Sequence, residues 1–228
     1  RLNLVADENR LEFSFASDNF TLDLNSYDLN QVADTPENEF FSPDGSKAAY
    51  IDEYNLWVRE VASNQLIQLT FDGVENYGYA TNNAGWLRDD RPVLLWSPDS
   101  QKIATFRQDS RDVGEMYLYS TEVGHVELDA WKYPLPGDDN IFMIERIVIH
   151  LEDQPRTVKF DMPPDPQRST TTDHIADRGG VFLDVEWSAD SENLSFVSSS
   201  RDHKIAQLQI ANPETGEVRS VFREEVET

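Results

Sequence analysis

An all-β protein of short antiparallel strands is what this sequence predicts, on three observations. Apolar residues recur with period two, helical stripes are nearly absent, and one turn sequence recurs three times with strand-like residues on either side. Leu11-Glu12-Phe13-Ser14-Phe15 and Phe20-Thr21-Leu22-Asp23-Leu24 read as half-buried strands. Residues 56–61 and 116–119 are β-rich runs, and residues 156–160 alternate again. Residues 144–151 fit a helix or a strand by length, and their β-branched content favours a strand.

The recurring turn organises the rest. Phe41-Ser42-Pro43-Asp44-Gly45 is echoed by Trp96-Ser97-Pro98-Asp99-Ser100 and by Trp187-Ser188-Ala189-Asp190-Ser191, each followed by a strand that reaches an aromatic residue. Pro pre-sets φ at the first corner, Asp bonds back to nearby N–H groups, and a small fourth residue tolerates the remaining backbone demand. A third strand is expected at residues 55–61, 115–120 and 204–210. A fourth is expected at 65–70, within 133–160, and at 217–222. Four such strands make one propeller blade. The reading is therefore a β-propeller of four-stranded antiparallel blades, with an incomplete blade at about 1–35 and blades at about 36–75, 76–160 and 175–228. The last two carry long insertions. Residues 163–166 and 169–173 read as surface loop.

Composition sets the limits. Lys plus Arg is 19 against 43 Asp plus Glu, a formal net charge of −24, which repels phosphate backbones and anionic lipid. Nucleic acid and membranes are excluded as expected partners. Such acidity confers solubility, and it also attracts cationic groups such as a peptide amino terminus. With no Cys, disulfides, thiolate metal sites and Cys nucleophiles are ruled out. The start at Arg1 and the charged run at 223–228 give the expectation of a segment cut from a longer chain, about four blades of a closed propeller.

Several of these motifs stand in a telling order. Ser42-Pro43-Asp44-Gly45, Tyr54-Asn55-Leu56-Trp57-Val58 and Gln68-Leu69-Thr70 with Asp72-Gly73 come first. Trp96-Ser97-Pro98-Asp99 with Lys102-Ile103-Ala104, and then Tyr133-Pro134-Leu135-Pro136-Gly137-Asp138-Asp139-Asn140, follow. From about residue 40 to 225 the chain resembles the N-terminal β-propeller region of the dipeptidyl peptidase IV family, serine exopeptidases of the prolyl oligopeptidase type. The resemblance implies an eight-bladed propeller preceding an α/β-hydrolase domain that carries the catalytic Ser, Asp and His. It implies a propeller that gates access and helps hold the peptide amino terminus, with no cofactor. Its partners would be the peptide and the C-terminal hydrolase domain. A bacterial periplasmic or secreted location is also implied. The other reading is a free-standing periplasmic propeller that binds proteins and has no peptidase activity.

One departure bears on the site. The family clamps the substrate α-ammonium with a Glu pair just before the second Trp-Ser-Pro-Asp hairpin, where charge-assisted hydrogen bonds are strong. Here that stretch reads Tyr77-Gly78-Tyr79-Ala80-Thr81-Asn82-Asn83-Ala84-Gly85-Trp86-Leu87-Arg88-Asp89-Asp90-Arg91. Asn82 and Asn83 stand in the pair's place, or Asp89 and Asp90 substitute after a shift, with Arg88 beside them. Neutral acceptors lose most of the Coulomb attraction, so dipeptide against tripeptide release stays open.

Catalytic and metal motifs are sparse. No Gly-x-Ser-x-Gly elbow occurs. His125, His150, His174 and His203 match no metal spacing, and the acidic groups at 138–139 and around 173–177 read as solvated faces. No metal and no catalytic residue is assigned. Trp57, Trp96 and Trp187 read as core, and Trp86 and Trp131 as rim or interface. An open set of blades would leave apolar faces at both ends, so self-association is expected.

Overall fold

The computed structural model describes residues 2–4, 10–15, 18–32, 38–82, 90–120, 124–172, 174–177 and 181–227. All regular structure among them is β. The chain divides into two compact units, Arg1–Glu39 and Phe40–Thr228.

In the first unit, β1 (Leu2–Leu4), β2 (Arg10–Phe15), β3 (Asp18–Asp23) and β4 (Leu29–Val32) form an antiparallel meander in that order. Asp23 shapes the last turn: its carboxylate accepts from Asn25 and Ser26 N–H at 2.8 and 3.0 Å.

The second unit holds three larger sheets. β5 (Phe40–Phe41), β6 (Lys47–Asp52), β7 (Asn55–Glu60) and β8 (Leu66–Gln68) form the first. The second begins with β9 (Leu95–Trp96) and β10 (Lys102–Asp109). It then gives way to a separate hairpin, β11 (Glu115–Tyr119) and β12 (Leu128–Lys132), before resuming with β13 (Met143–His150) and β14 (Arg156–Lys159). A short β15 (Asp165–Pro166) pairs with the start of β13. β16 (Val185–Trp187), β17 (Leu194–Ser199), β18 (Ile205–Ala211) and β19 (Val218–Glu225) form the third.

The strand expected at 115–120 therefore does not take third place in its sheet. β10 pairs with β13 along its whole length, Lys102↔His150 to Asp109↔Met143, while residues 115–119 pair only with β12. Period two fixes a strand but not its neighbour, and the apolar run at 147–149 matches the two-sided burial of β10.

That two-sided burial explains the core. On β10, Ile103 turns toward the first sheet, clustering with Ala49, Leu56, Val58, Ile147 and Ile149. Its neighbour Ala104 turns toward the third, with Val148, Phe160, Trp187, Leu194 and Phe196. A sheet sandwiched between two others must be apolar on both faces, which is why Ile103 and Ala104 of β10 and Ile147, Val148 and Ile149 of β13 are apolar at successive positions. Trp96 and Trp187 are 4% and 7% exposed, as expected for core. Trp57 is half-buried and stacks on Tyr50 at 6.5 Å. Trp131, expected at a rim, is 9% exposed on β12, opposite Met116; Trp86 lies outside the described residues.

The three turns share one hydrogen-bond pattern. In each, the Ser hydroxyl donates to the Asp two residues on, at 2.7 Å for Ser42 and 2.5 Å for Ser97 and Ser188. Each Ser Oγ also accepts from the N–H five residues on, that of Lys47, Lys102 or Asn193. Residues 200–205, between β17 and β18, repeat the pattern without Pro or a preceding aromatic. There Ser200 donates to Asp202 at 2.6 Å and accepts from Ile205 N–H at 3.0 Å.

Successive sheets are joined at two repeated points. Trp96 Nε1 donates to the Phe40 carbonyl at 3.1 Å, and Trp187 Nε1 to the Leu95 carbonyl at 3.2 Å. Asp44 N–H donates to Ser100 Oγ and Asp99 N–H to Ser191 Oγ, both at 3.3 Å. Ser100 and Ser191 hold φ at 59° and 61°, where a side chain costs about 1–2 kcal/mol. The same position in the first turn is Gly45, at 69°.

Candidate functional site

The described part of the stretch singled out by sequence, residues 77–82 and 90–91, comes between the first and second sheets along the chain, and its path begins at Asn55. The Asn55 side chain accepts from Gly73 N–H at 2.9 Å and from Thr70 Oγ1 at 3.1 Å, so it moulds the turn that leaves β8. A Cβ on Gly73 would collide with the Tyr54 carbonyl, so this close approach requires glycine. The chain then turns at Val74–Tyr77 and runs beside the end of β10. Gly78 O accepts from Gln108 N–H at 2.8 Å, and Ala80 N–H donates to Phe106 O at 2.9 Å. Val93 N–H closes on Ala80 O at 2.8 Å, so the chain departs after Ala80 and is back beside it by Val93.

Asn82 stands at the outgoing root of this excursion and is 6% exposed. Asp90 stands exposed at the returning root. Asn83, Arg88 and Asp89 lie outside the described residues. Of the five candidate residues, the structure thus places Asn82 in a buried position and Asp90 in solvent.

A charged network that the sequence did not reveal fastens this segment to the second sheet. Arg107, on β10, bonds Asp72 at 2.9 Å and grips Glu145 of β13 through Nε and Nη2 at 3.0 and 2.5 Å. Tyr79 donates its hydroxyl to Asp72 at 2.6 Å, and Lys159 of β14 pairs with Glu145. The Arg107 guanidinium sits 4.3 Å from the Tyr77 ring centroid, and Arg111 sits 4.0 Å from the same ring. Burial pushes the Tyr79 hydroxyl up to about 12, and its bond to Asp72 adds to that. Burial alone would raise the Glu145 carboxyl, but Lys159 and Arg107 outweigh it and hold it below its usual range. Arg107 and Lys159 face Asp72 and Glu145, and Arg111 pairs with Asp109 at 2.7 Å, so the network is balanced and leaves no spare negative charge for an ammonium ion. Its work is to hold the root of the loop in place. An Arg ending the apolar run at 103–106 was the one visible hint of it.

Several other polar groups make structural contacts. His150 is 4% exposed, with Nε2 at 2.9 Å from Pro213 O and Nδ1 at 3.4 Å from Glu214. His203 meets Arg168. Asp138 accepts from Leu135 N–H at 2.8 Å, and Arg201 binds the carbonyls of Leu135 and Asp138. Asp177 accepts from Val181 N–H at 2.9 Å. Among the described residues no group of three or more His, Asp or Glu could hold a metal ion, and no helix is long and apolar enough to cross a membrane.

Residues 4–228 match the family described as the dipeptidyl peptidase IV N-terminal region. The chain belongs to that family. Among its relatives, a protein described as "Probable dipeptidyl-aminopeptidase B" of Aspergillus fumigatus is 24% identical over 196 residues, covering 82% of this chain and 21% of the relative. One from Emericella nidulans is 22% identical, covering 85% and 22%. Among solved structures, the dipeptidyl peptidase 4 of Porphyromonas gingivalis superposes with a TM-score of 0.67 at 15% identity, covering 99% of this chain and 33% of that one. The chain thus spans about a fifth of the length of the curated relatives it matches. For this member of the dipeptidyl peptidase IV N-terminal family, the structural likeness identifies the four-stranded sheets as β-propeller structure.

Proposed function

We propose that this chain is the non-catalytic propeller region of a dipeptidyl peptidase IV-like serine exopeptidase. It gates access and helps hold the peptide amino terminus for a separate α/β-hydrolase domain of the same parent chain. The observation that carries this reading is the family match across residues 4–228. The site reading is supported by a braced segment that delivers Asn82 to the root of the loop. Either Asn82 and Asn83 offer neutral acceptors to the ammonium, or Asp89 and Asp90 supply negative charge after a shift, with Arg88 beside them. An excess of 24 negative charges draws the peptide's cationic end inward. In the same reading the parent propeller has eight blades and lies in a bacterial periplasm or outside the cell, and this segment alone self-associates through its uncovered sheet faces.

The absence of a Glu pair at 77–91 favours one second reading, a free-standing periplasmic propeller that binds proteins. Chromogenic X-Pro and X-Ala dipeptide and tripeptide amides separate the two. Cleavage by the parent but not by this chain is the expected result, with the preferred length reporting what replaces the Glu pair. A parent that cleaves none of them overturns the peptidase reading and leaves the binding propeller.

A further inference from the structure

Where β10, β13 and β14 lie side by side, their register sets three basic residues in one row. Lys102 pairs with His150, and His150 with Arg156, so the three side chains share one face of the second sheet. That face also carries Ala104 and Val148, which pack against the third sheet. The turn between β18 and β19 comes down on the row. Its Gly216 runs so close to β14 that a Cβ there would collide with the Lys159 carbonyl. Asp161 N–H donates to Gly216 O at 2.8 Å. The Asn212 side chain shapes the turn by accepting from Glu214 and Thr215 N–H at 2.8 and 3.1 Å.

This turn brings Pro213 and Glu214 to His150, which is 4% exposed. The two ring nitrogens meet different groups. Nε2 lies 2.9 Å from the Pro213 carbonyl, and Nδ1 lies 3.4 Å from Glu214 Oε1. A carbonyl only accepts, so Nε2 must carry a hydrogen. In the neutral ring Nδ1 then holds a lone pair, and it faces a carboxylate oxygen that also offers only lone pairs. A second proton turns this opposed pair into an attractive ion pair.

The charges around the ring favour that proton. Facing His150 are Lys102 from β10, Arg156 from β14 and Glu214 from the turn. Lys102 is occupied by Asp99 at 3.3 Å. Arg156 bonds Glu152 at 3.3 Å and Glu214 Oε2 at 2.7 Å. Three carboxylates thus meet two permanent cations, and a charged His150 supplies the third. Burial works against the Glu214 carboxylate, yet Arg156 and His150 hold it below its usual range. The Glu214 side chain is half exposed, so water reaches the carboxylate beside the buried ring, and a proton can arrive without the sheets parting.

We infer that His150 is a proton-dependent latch between the second and third sheets. With its ring charged, it fastens the β18–β19 turn through both Pro213 and Glu214. With its ring neutral, the Glu214 contact turns unfavourable, and the turn is left to the Pro213, Gly216 and Arg156 bonds. Such a latch stabilises the joint at low pH and loses that effect as pH rises through the titration of the ring. The response belongs between about pH 5 and 8, where imidazole ordinarily changes charge. The inference rests on neither the loop at 83–89 nor peptide hydrolysis, so a peptidase assay has no bearing on it.

The test is deuterium exchange in the full-length protein, read by peptide mass analysis. Exchange at the His150 ring carbon between the two nitrogens follows the charge of the ring as pH is varied. In Glu214→Gln, which keeps the length of the side chain and removes its charge, the midpoint of that curve should fall by about half a pH unit. An unmoved or raised midpoint overturns the inference. Backbone amide exchange over residues 212–217 reads the latch itself, comparing the parent with His150→Gln at each pH so that intrinsic exchange chemistry cancels. Glutamine can donate to the Pro213 carbonyl but takes up no proton. Protection of the parent relative to this variant should drop about threefold between about pH 5.5 and about pH 8, the equivalent of the same half unit. A ratio that stays constant or rises over that range overturns the latch even if the midpoint moves. Should His150→Gln fail to fold, Glu214→Gln takes its place in the comparison, with the same drop expected.

Discussion

Ser191 offers the sharpest check on how the sheets are held together. Its φ of 61° is strained for any side chain, so Ser191→Gly should relieve about 1 kcal/mol of steric cost. Glycine's extra freedom in the unfolded chain offsets about 0.5–1 kcal/mol of that, so backbone effects alone leave the variant neutral or slightly stabilised. The hydroxyl alters the sign. Ser191 is 1% exposed, and its Oγ receives the Asp99 N–H from the preceding turn. Losing that acceptor costs about 1–2 kcal/mol. Ser191→Gly should therefore destabilise by about 1 kcal/mol, lowering the melting temperature by roughly 2–4 °C. Ser191→Ala, which keeps the strain and loses the acceptor, should fall further. Thermal melting by near-ultraviolet circular dichroism reads both, with Trp187 as a reporter at the same interface. A Ser191→Gly protein that melts at or above the parent temperature refutes the reasoning, because the strained serine would then serve no bond between sheets.

Two other expectations follow from buried and charged groups. Arg146 is 5% exposed, bonds Asp165 at 2.9 Å and lies 4.6 Å from the Phe196 ring; Arg146→Met should cost about 3–5 kcal/mol by stranding the carboxylate, and adding Asp165→Leu should recover much of the loss in urea unfolding. The turn carboxylates Asp44 and Asp190 are held below their ordinary 3.8, chiefly by the hydroxyls of Ser42 and Ser188. A depressed carboxyl stabilises the fold above its ordinary value and loses that effect as pH falls through the folded value. The stability gap between the parent and Ser188→Ala should thus be constant near neutrality and narrow below about pH 4; a gap unchanged down to about pH 2 would count against the turn account.

What the sequence disclosed and what it hid divide along a physical line. The turns at 42–47, 97–102 and 188–193 were legible because Ser, Asp and a flanking aromatic each have a local task. The turn at 200–205 makes the same bonds yet carries no comparable signal, since Arg201 stands where Pro or Ala stands elsewhere and no aromatic precedes it. The hydrogen bonds need only Ser and Asp two apart, a pattern too common to notice. The partner of β10 was misread because the aromatic-rich run Met116-Tyr117-Leu118-Tyr119 is as strand-like as any blade strand. At the candidate site, Asn82 was found from its place in a motif, while Arg107, Asp72, Glu145 and Lys159 were not. Their contacts join residues 14 to 38 apart, and no local pattern encodes such a meeting.

The hairpin inserted between β10 and β13 also sets a schedule for folding. β6 finds β7 across a two-residue turn and β17 finds β18 across residues 200–204, but β10 must wait for residues 110–142 to pass before its partner exists. Closing that longer gap costs on the order of 1–2 kcal/mol more than the short turn at 200–204. The middle sheet, against which both neighbours pack, therefore has the costliest central closure of the three. During synthesis, β10 spends that interval as an eight-residue edge whose residues are almost all destined for the interior. Such an edge is the region where pairing with a neighbouring chain competes most directly with correct assembly.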